Sequence, residues 1–130
     1  MLGLDIPDDT VVVADFEAGI GTLTRLGETK VDAVFIVTDA TVKSLEVASR
    51  AATLAEAHTS GPIVIVANRV LDEADRDAIE RTLEGRVVVV VPDDAAIPAA
   101  DRADVAPLDA SPEAPAVVAL AGLVSLLPAR

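Results

Sequence analysis

The chain has no cysteine, tryptophan or tyrosine, and only two phenylalanines and one histidine among its 130 residues. The missing cysteines exclude disulfides, thiolate metal sites and a cysteine nucleophile. With so few aromatic side chains, the core has to be built from Val, Ala, Leu and Ile, which suits helices packed on a buried parallel sheet. His58 falls near the end of a predicted helix without an evident catalytic or metal-binding partner, so we expect a helix-terminal or solvent-facing role for it.

Positive charge is also scarce. Ten Lys and Arg residues stand against 22 Asp and Glu, which gives a formal net charge of −12. An acidic surface repels phosphate backbones, so the composition argues against a nucleic-acid partner. The sequence also lacks an apolar run of membrane-spanning length and a signal-peptide pattern. We therefore expect a cytoplasmic protein, with a single domain over residues 1–130 and no membrane partner.

Short apolar runs alternate with helical patterns along the chain. The runs predict four strands, at Thr10–Ala14, Ala33–Thr38, Ile63–Ala67 and Val87–Val91. Helices are predicted at Thr41–His58, Asp72–Leu83 and Glu113–Leu127, and Pro98–Pro115 is predicted to be the loosest part. The alternation predicts an α/β fold, a Rossmann-like parallel sheet of about four strands with flanking helices in two or three layers. Because parallel crossovers are right-handed, strands in simple order would leave one face to be covered by the last helix alone.

Polar residues follow all four predicted strands. They are Asp15 and Glu17, Thr38 and Asp39, Asn68 and Arg69, and Pro92, Asp93 and Asp94. In open α/β sheets, ligands bind at the carboxyl ends of the strands, so this pattern is typical of a site along one sheet edge. The same residue types also terminate strands for purely structural reasons, and spacing alone leaves both interpretations open.

These residues carry a resemblance to a known family. The segments "ADFEAGIGTLTR", "IVIVANRV" and "VVVVVPDDAAIPAADRADVAPL" resemble, in order and spacing, the later part of the MinD/ParA-type P-loop ATPases. The most similar branch is the one that matures carbon-monoxide dehydrogenase by helping nickel insertion. The resemblance runs from about Val11 to Leu127 and implies a P-loop NTPase-like fold.

The resemblance also implies site residues. Asp15 would hold a magnesium ion through water, and Gly19 would let the backbone approach a γ-phosphate. Asn68 would read an adenine edge, Arg69 would stack on the base, and the turn from Pro92 to Asp94 would complete the base pocket. Asp39 is a further binding candidate at the same edge of the sheet.

The chain departs from this family at its phosphate-binding loop. A lysine-bearing glycine loop, roughly G-K-G-G-x-G-K-T, is absent, and the only lysines are Lys30 and Lys43. The Cys-x-Cys pair to which nickel binding is ascribed in the maturation branch is also missing. We therefore expect no ATPase activity from the isolated chain, and ATP or ADP with magnesium only if a partner chain completes the site.

Three functions remain open on the sequence. The chain is a truncated or degenerate MinD/ParA-like domain that acts as a binding or assembly module, as a homodimer or with a partner chain. Alternatively, it is half of a split ATPase whose partner carries the P-loop. A third alternative is an unrelated receiver-like or flavodoxin-like module, in which Asp39 would be the phosphoacceptor, although no lysine ends a later strand and flavin-stacking aromatics are lacking.

Overall fold

Three parallel strands form the sheet of this protein. The computed structural model describes residues 7, 9–16 and 28–129. Within them the strands are β1 (Val34–Thr38), β2 (Ile63–Val70) and β3 (Val87–Pro92), arranged in the order β1-β2-β3. Helices alternate with the strands and flank the sheet. The prediction of an α/β, Rossmann-like parallel sheet is therefore confirmed.

The prediction of a first strand at Thr10–Ala14 is wrong. These residues form no strand, and the side chains of Val11, Val12 and Val13 are 63%, 55% and 85% exposed. The described sheet consequently has three strands rather than about four. A run of β-branched residues favours extended backbone, but a strand also needs a hydrogen-bonded neighbour, and none of the described residues pairs with this segment.

Two helices cover one face of the sheet. Helix α1 (Val42–Ala55) begins after the N-cap Thr41, and helix α2 (Glu73–Thr82) begins after the N-cap Asp72, each with a side-chain oxygen that accepts from a helical N–H. Small residues, Ala48 and Ala52, face the sheet on α1 and are almost fully buried. They pack in one cluster with Ile36, Ile65 and Ile79, which makes the larger core.

The opposite face is covered by the end of the chain. Three short helices follow β3: α3 (Ala96–Arg102), α4 (Pro107–Ala110) and α5 (Pro115–Gly122), and a 3-10 turn (Leu123–Leu126) continues α5. The predicted helix Glu113–Leu127 is therefore α-helical only over α5, and its last part is the 3-10 turn. The segment Pro98–Pro115, predicted to be the loosest, contains α4 and most of α3. Val66, Val91 and Ala116 form the core on this side, as expected if the last helix covers the second face.

Cover on this second face is incomplete. Val37 on β1 and Val87 on β3 are 63% and 56% exposed, although both lie in strands. Alternation along β1 puts Val37 on the same face as Phe35, which packs in the α5 cluster. Helix α5 has only eight residues and packs chiefly on the edge strand β3, so it does not cover the whole face. Among the described residues, no helix has the length and apolar character needed to cross a membrane.

Candidate functional site

A shallow cleft lies at the carboxyl edge of the sheet. It has a volume of about 320 Å3 and is lined by Asp39, Ala40, Thr41, Arg69, Leu71, Asp75 and Asp93. These residues come from the ends of all three strands and from the first turns of α1 and α2. Because the strands are parallel, their carboxyl ends meet at one edge, which is where open α/β sheets bind ligands.

Asp39 is held in place at the end of β1. Its Oδ1 accepts hydrogen bonds from the Thr41 hydroxyl at 2.6 Å and from the Thr41 backbone N–H at 3.0 Å. Its Oδ2 lies 3.3 Å from a guanidinium nitrogen of Arg69. The hydrogen bonds from Thr41, more than the charge of Arg69, lower the pKa of the Asp39 carboxyl below its ordinary value. Asp39 is therefore an oriented carboxylate at neutral pH.

Arg69 reaches the cleft because β2 carries a bulge. Ala67 pairs with Val90 and Val70 pairs with Pro92, so three steps along β2 match two along β3. The extra residue falls at Asn68 and Arg69, and Arg69 has a φ of +56°, in the left-handed region. That region is unfavourable for a residue with a side chain. Bulges next to sites commonly redirect a side chain, and here the guanidinium is directed to Asp39 across the strand ends.

The far wall of the cleft comes from the start of α2. The backbone N–H of Leu71 donates to Asp75 Oδ2 at 3.0 Å, and the N–H of Asp75 donates to Asp72 Oδ1 at 3.0 Å. Leu71 is 73% exposed, so it presents an apolar surface at the cleft rather than to the core. The lining thus combines an exposed leucine, an alanine, three carboxylates and one guanidinium.

The structure brings only some of the predicted site residues together. Asp39 and Arg69 line the cleft, with Asp93 beside them. Asn68 lies in the bulge next to Arg69, and Pro92 is the last residue of β3, but neither lines the cleft. Gly19 lies outside the described residues.

Asp15 and Asp94 do not lie where their predicted roles would place them. Asp15 is exposed, and it does not follow a strand because Thr10–Ala14 forms none. Asp94 accepts from the Ala96 N–H at 2.9 Å and from the Ala116 N–H at 3.0 Å. Those two bonds lower the pKa of Asp94 and join β3 to both α3 and α5. Asp94 is therefore a structural anchor in this fold.

Four residues that line the cleft were not predicted from the sequence: Ala40, Thr41, Leu71 and Asp75. Each lies in the linker or first turn that follows a strand, not at the strand end itself. Their common signal is position, since a ligand at the carboxyl edge also meets the amino ends of the helices that leave it. Asp75 could have been found as the third residue of α2, where an acid is favoured by the helix dipole.

The lining does not fit a magnesium–triphosphate group. The lining holds three carboxylates and one guanidinium, so its net charge is negative and repels a polyphosphate. Asp15, the expected magnesium residue, is not part of the lining. Over the described part of the chain, no group of three or more His, Cys, Asp or Glu side chains could hold a metal ion.

No protein-family model matches the chain, and no curated protein matches it.

Proposed function

We propose that this chain is a ligand-binding and assembly module that does not hydrolyse ATP on its own. The observation that supports the proposal best is the cleft at the carboxyl edge of the sheet. There a bulge holds Arg69 in an unfavourable backbone conformation opposite the oriented carboxylate of Asp39. Non-glycine residues in such conformations persist only where the surrounding structure holds them, and they cluster at active sites and ligand-binding sites. Asp104 also has a positive φ, of +55°, so it is the position of Arg69 in the cleft, together with its φ, that supports the proposal.

The size and charge of the cleft select a small ligand without phosphate groups. Small-molecule sites span roughly 300–1,000 Å3, and about 320 Å3 lies at the lower end of that range. A nucleoside has this size. Arg69 can stack on a planar base, and the carboxylates of Asp39, Asp75 and Asp93 can accept from an exocyclic amino group. A triphosphate would add only repulsion from the same carboxylates.

A relation to the MinD/ParA-type ATPases is part of this proposal. It rests on the order and spacing of the segments quoted above and on the presence of Asp39 and Arg69 at the strand ends. In this proposal the chain is a degenerate relative that keeps a base-binding edge without a lysine-bearing phosphate loop in the given sequence. The assembly role rests on Val37 and Val87, apolar strand residues that the described helices leave exposed, since such surfaces commonly mark interaction sites.

An ATPase assay tests the catalytic half of the proposal. Phosphoryl transfer depends on positioned positive charge, and the lining supplies one guanidinium against three carboxylates. The purified chain should release no phosphate from ATP with magnesium above a no-protein control. Magnesium-dependent turnover that Asp15→Ala abolishes and Asp32→Ala leaves intact would overturn this expectation, because Asp32 is an exposed acid outside the cleft.

A further inference from the structure

The outer edge of β1 carries unpaired backbone groups. β1 pairs with β2 on one side, and within residues 9–16 and 28–129 no strand pairs with its other side. Val34 donates its N–H to Pro62 O on the β2 side at 3.0 Å. Residues alternate in direction along a strand, so the N–H and C=O groups of Phe35 and Val37 point to the outer edge. Such an edge is a template for another strand.

The outer edge of β1 lacks three features that commonly block strand addition. Protein edges are usually protected by charged residues, proline or a bulge. The sequence of β1, VFIVT, contains no charge and no proline, and its register with β2 is continuous from Val34 to Thr38. The opposite edge strand, β3, ends in Pro92. An edge without these features is open to pairing with a further strand.

A matching segment lies in the same chain. Thr10–Ala14 (TVVVA) is uncharged and rich in β-branched residues, as β1 is, and its three valines are exposed. Val37, on the outer strand of the sheet, is exposed on the face that a further strand would extend. The outer edge of β1 and the segment Thr10–Ala14 thus match in length, in apolar character and in lack of charge.

We propose that Thr10–Ala14 of one copy adds as a strand to the outer edge of β1 in a second copy. Both features are unpaired among the residues that the structure describes, and a reciprocal exchange pairs both in each copy at once. An exchange of this kind closes with two-fold symmetry, the commonest arrangement of protein dimers. This inference rests on the assembly role proposed above and assigns its partner and its surface; it does not depend on ligand binding in the cleft.

Sedimentation equilibrium at micromolar concentration tests the proposal with a matched pair of variants. Val12 on the segment and Val118 on α5 are both 55% exposed, so an aspartate at either position adds the same charge to a comparable surface. The natural chain and Val118→Asp should sediment as dimers, and Val12→Asp should sediment as a folded monomer that keeps the helical circular dichroism signal of the natural chain. A dimeric Val12→Asp, or a monomeric Val118→Asp, would overturn the proposal.

Because the chain has no cysteine, disulfide trapping can show which strands meet. A mixture of the Val12→Cys and Val37→Cys variants should form an interchain disulfide on mild oxidation. A mixture of Val12→Cys with Val124→Cys, another exposed valine, should not. In the double variant Val12→Cys/Val37→Cys, a disulfide found only within one chain would overturn exchange in favour of pairing in the same molecule.

The remaining outcomes separate this inference from the function on which it rests. A dimer without the Val12–Val37 disulfide contradicts strand exchange and leaves the assembly role standing. A natural chain that is monomeric contradicts both.

Discussion

Arg69 holds a backbone conformation that a residue with a side chain adopts only at a cost. Its ion pair with Asp39 is accessible to solvent, and surface pairs contribute about 0–1 kcal/mol to folding. The contact therefore does not clearly offset the backbone cost, which is of order 1–2 kcal/mol for the left-handed region. A backbone cost that exceeds the contribution of the ion pair is expected of a residue that serves binding and not stability.

Two substitutions separate the backbone of Arg69 from its side chain. Arg69→Gly and Arg69→Ala both remove the guanidinium, but only glycine relieves the positive φ. Arg69→Gly should therefore be about 1 kcal/mol more stable than Arg69→Ala in urea unfolding, and both should lose ligand binding at the cleft. Equal stability of the two variants would show that the bulge is not strained in solution.

Gly61 is required for a close approach between two backbones. A Cβ at this position would lie 1.8 Å from the carbonyl oxygen of Asp32, so the segment before β1 would have to move. Gly61→Ala should lower the free energy of unfolding by about 1–3 kcal/mol or more, as overpacking does.

Gly122 is the matched control for Gly61. It has helical backbone at the end of α5, and an added Cβ there would meet nothing within 4 Å. Gly122→Ala should leave the stability unchanged or raise it by up to about 1 kcal/mol, since glycine is unfavourable in helices. If the two alanine variants unfold at the same urea concentration, the packing of residues 32 and 61 described here is wrong.

At the scale of elements, α5 is held to the sheet by one carboxylate as well as by its core residues. Asp94 receives N–H groups from the first turns of α3 and α5. Asp94→Ala removes both bonds, whereas Asp93→Ala removes a neighbouring acid that does not bind these helices. Thermal unfolding should show a clear loss of stability for Asp94→Ala and little change for Asp93→Ala; similar losses would contradict the anchoring role.

The same carboxylate gives the fold a dependence on pH. Hydrogen bonds lower the pKa of Asp94 below 3.8, so its contribution to stability is present above the unfolded pKa and lost as pH falls through the folded pKa. Asp39 acts in the same direction. Stability should fall between neutral and acidic pH, and Asp94→Ala should show a shallower fall than the natural chain. A fall of equal slope in both proteins would exclude Asp94 as a cause.

The elements also show how far local sequence determines this fold. β1, β2 and β3 were predictable because each apolar run is bounded by turn or cap residues and also finds a neighbour in space. The run at Thr10–Ala14 has the same local signal but no described neighbour. The sequence of one strand does not determine which other strand it pairs with. Helices α3 and α4 were missed because their residues, mostly Ala, Asp and Pro, carry no helical hydrophobic period.

The cleft was predictable to a similar degree. Asp39 and Arg69 follow strands, and parallel topology brings such positions together. The bulge that directs Arg69 could not be read from the sequence, because it depends on the register between β2 and β3. The contacts of Asp94 could not be read from the sequence either, since the backbone N–H groups that it binds lie 2 and 22 residues away.

At the scale of the whole molecule, acidity and topology favour one kind of ligand. A chain of net charge −12 gathers three carboxylates at the edge where its parallel strands end, and only one guanidinium balances them there. The proposed function therefore favours a nucleoside-like group over a phosphate chain.

The proposed preference for a nucleoside can be tested by NMR titration of the 15N-labelled chain with adenosine, and separately with ATP and magnesium. Adenosine should shift the amide signals of cleft residues, above all Arg69, Leu71 and Asp39, with an affinity at least equal to that of ATP. Binding of ATP that is tighter than that of adenosine and strengthened by magnesium would contradict the proposed preference, as would shifts that are absent or confined to residues outside the cleft.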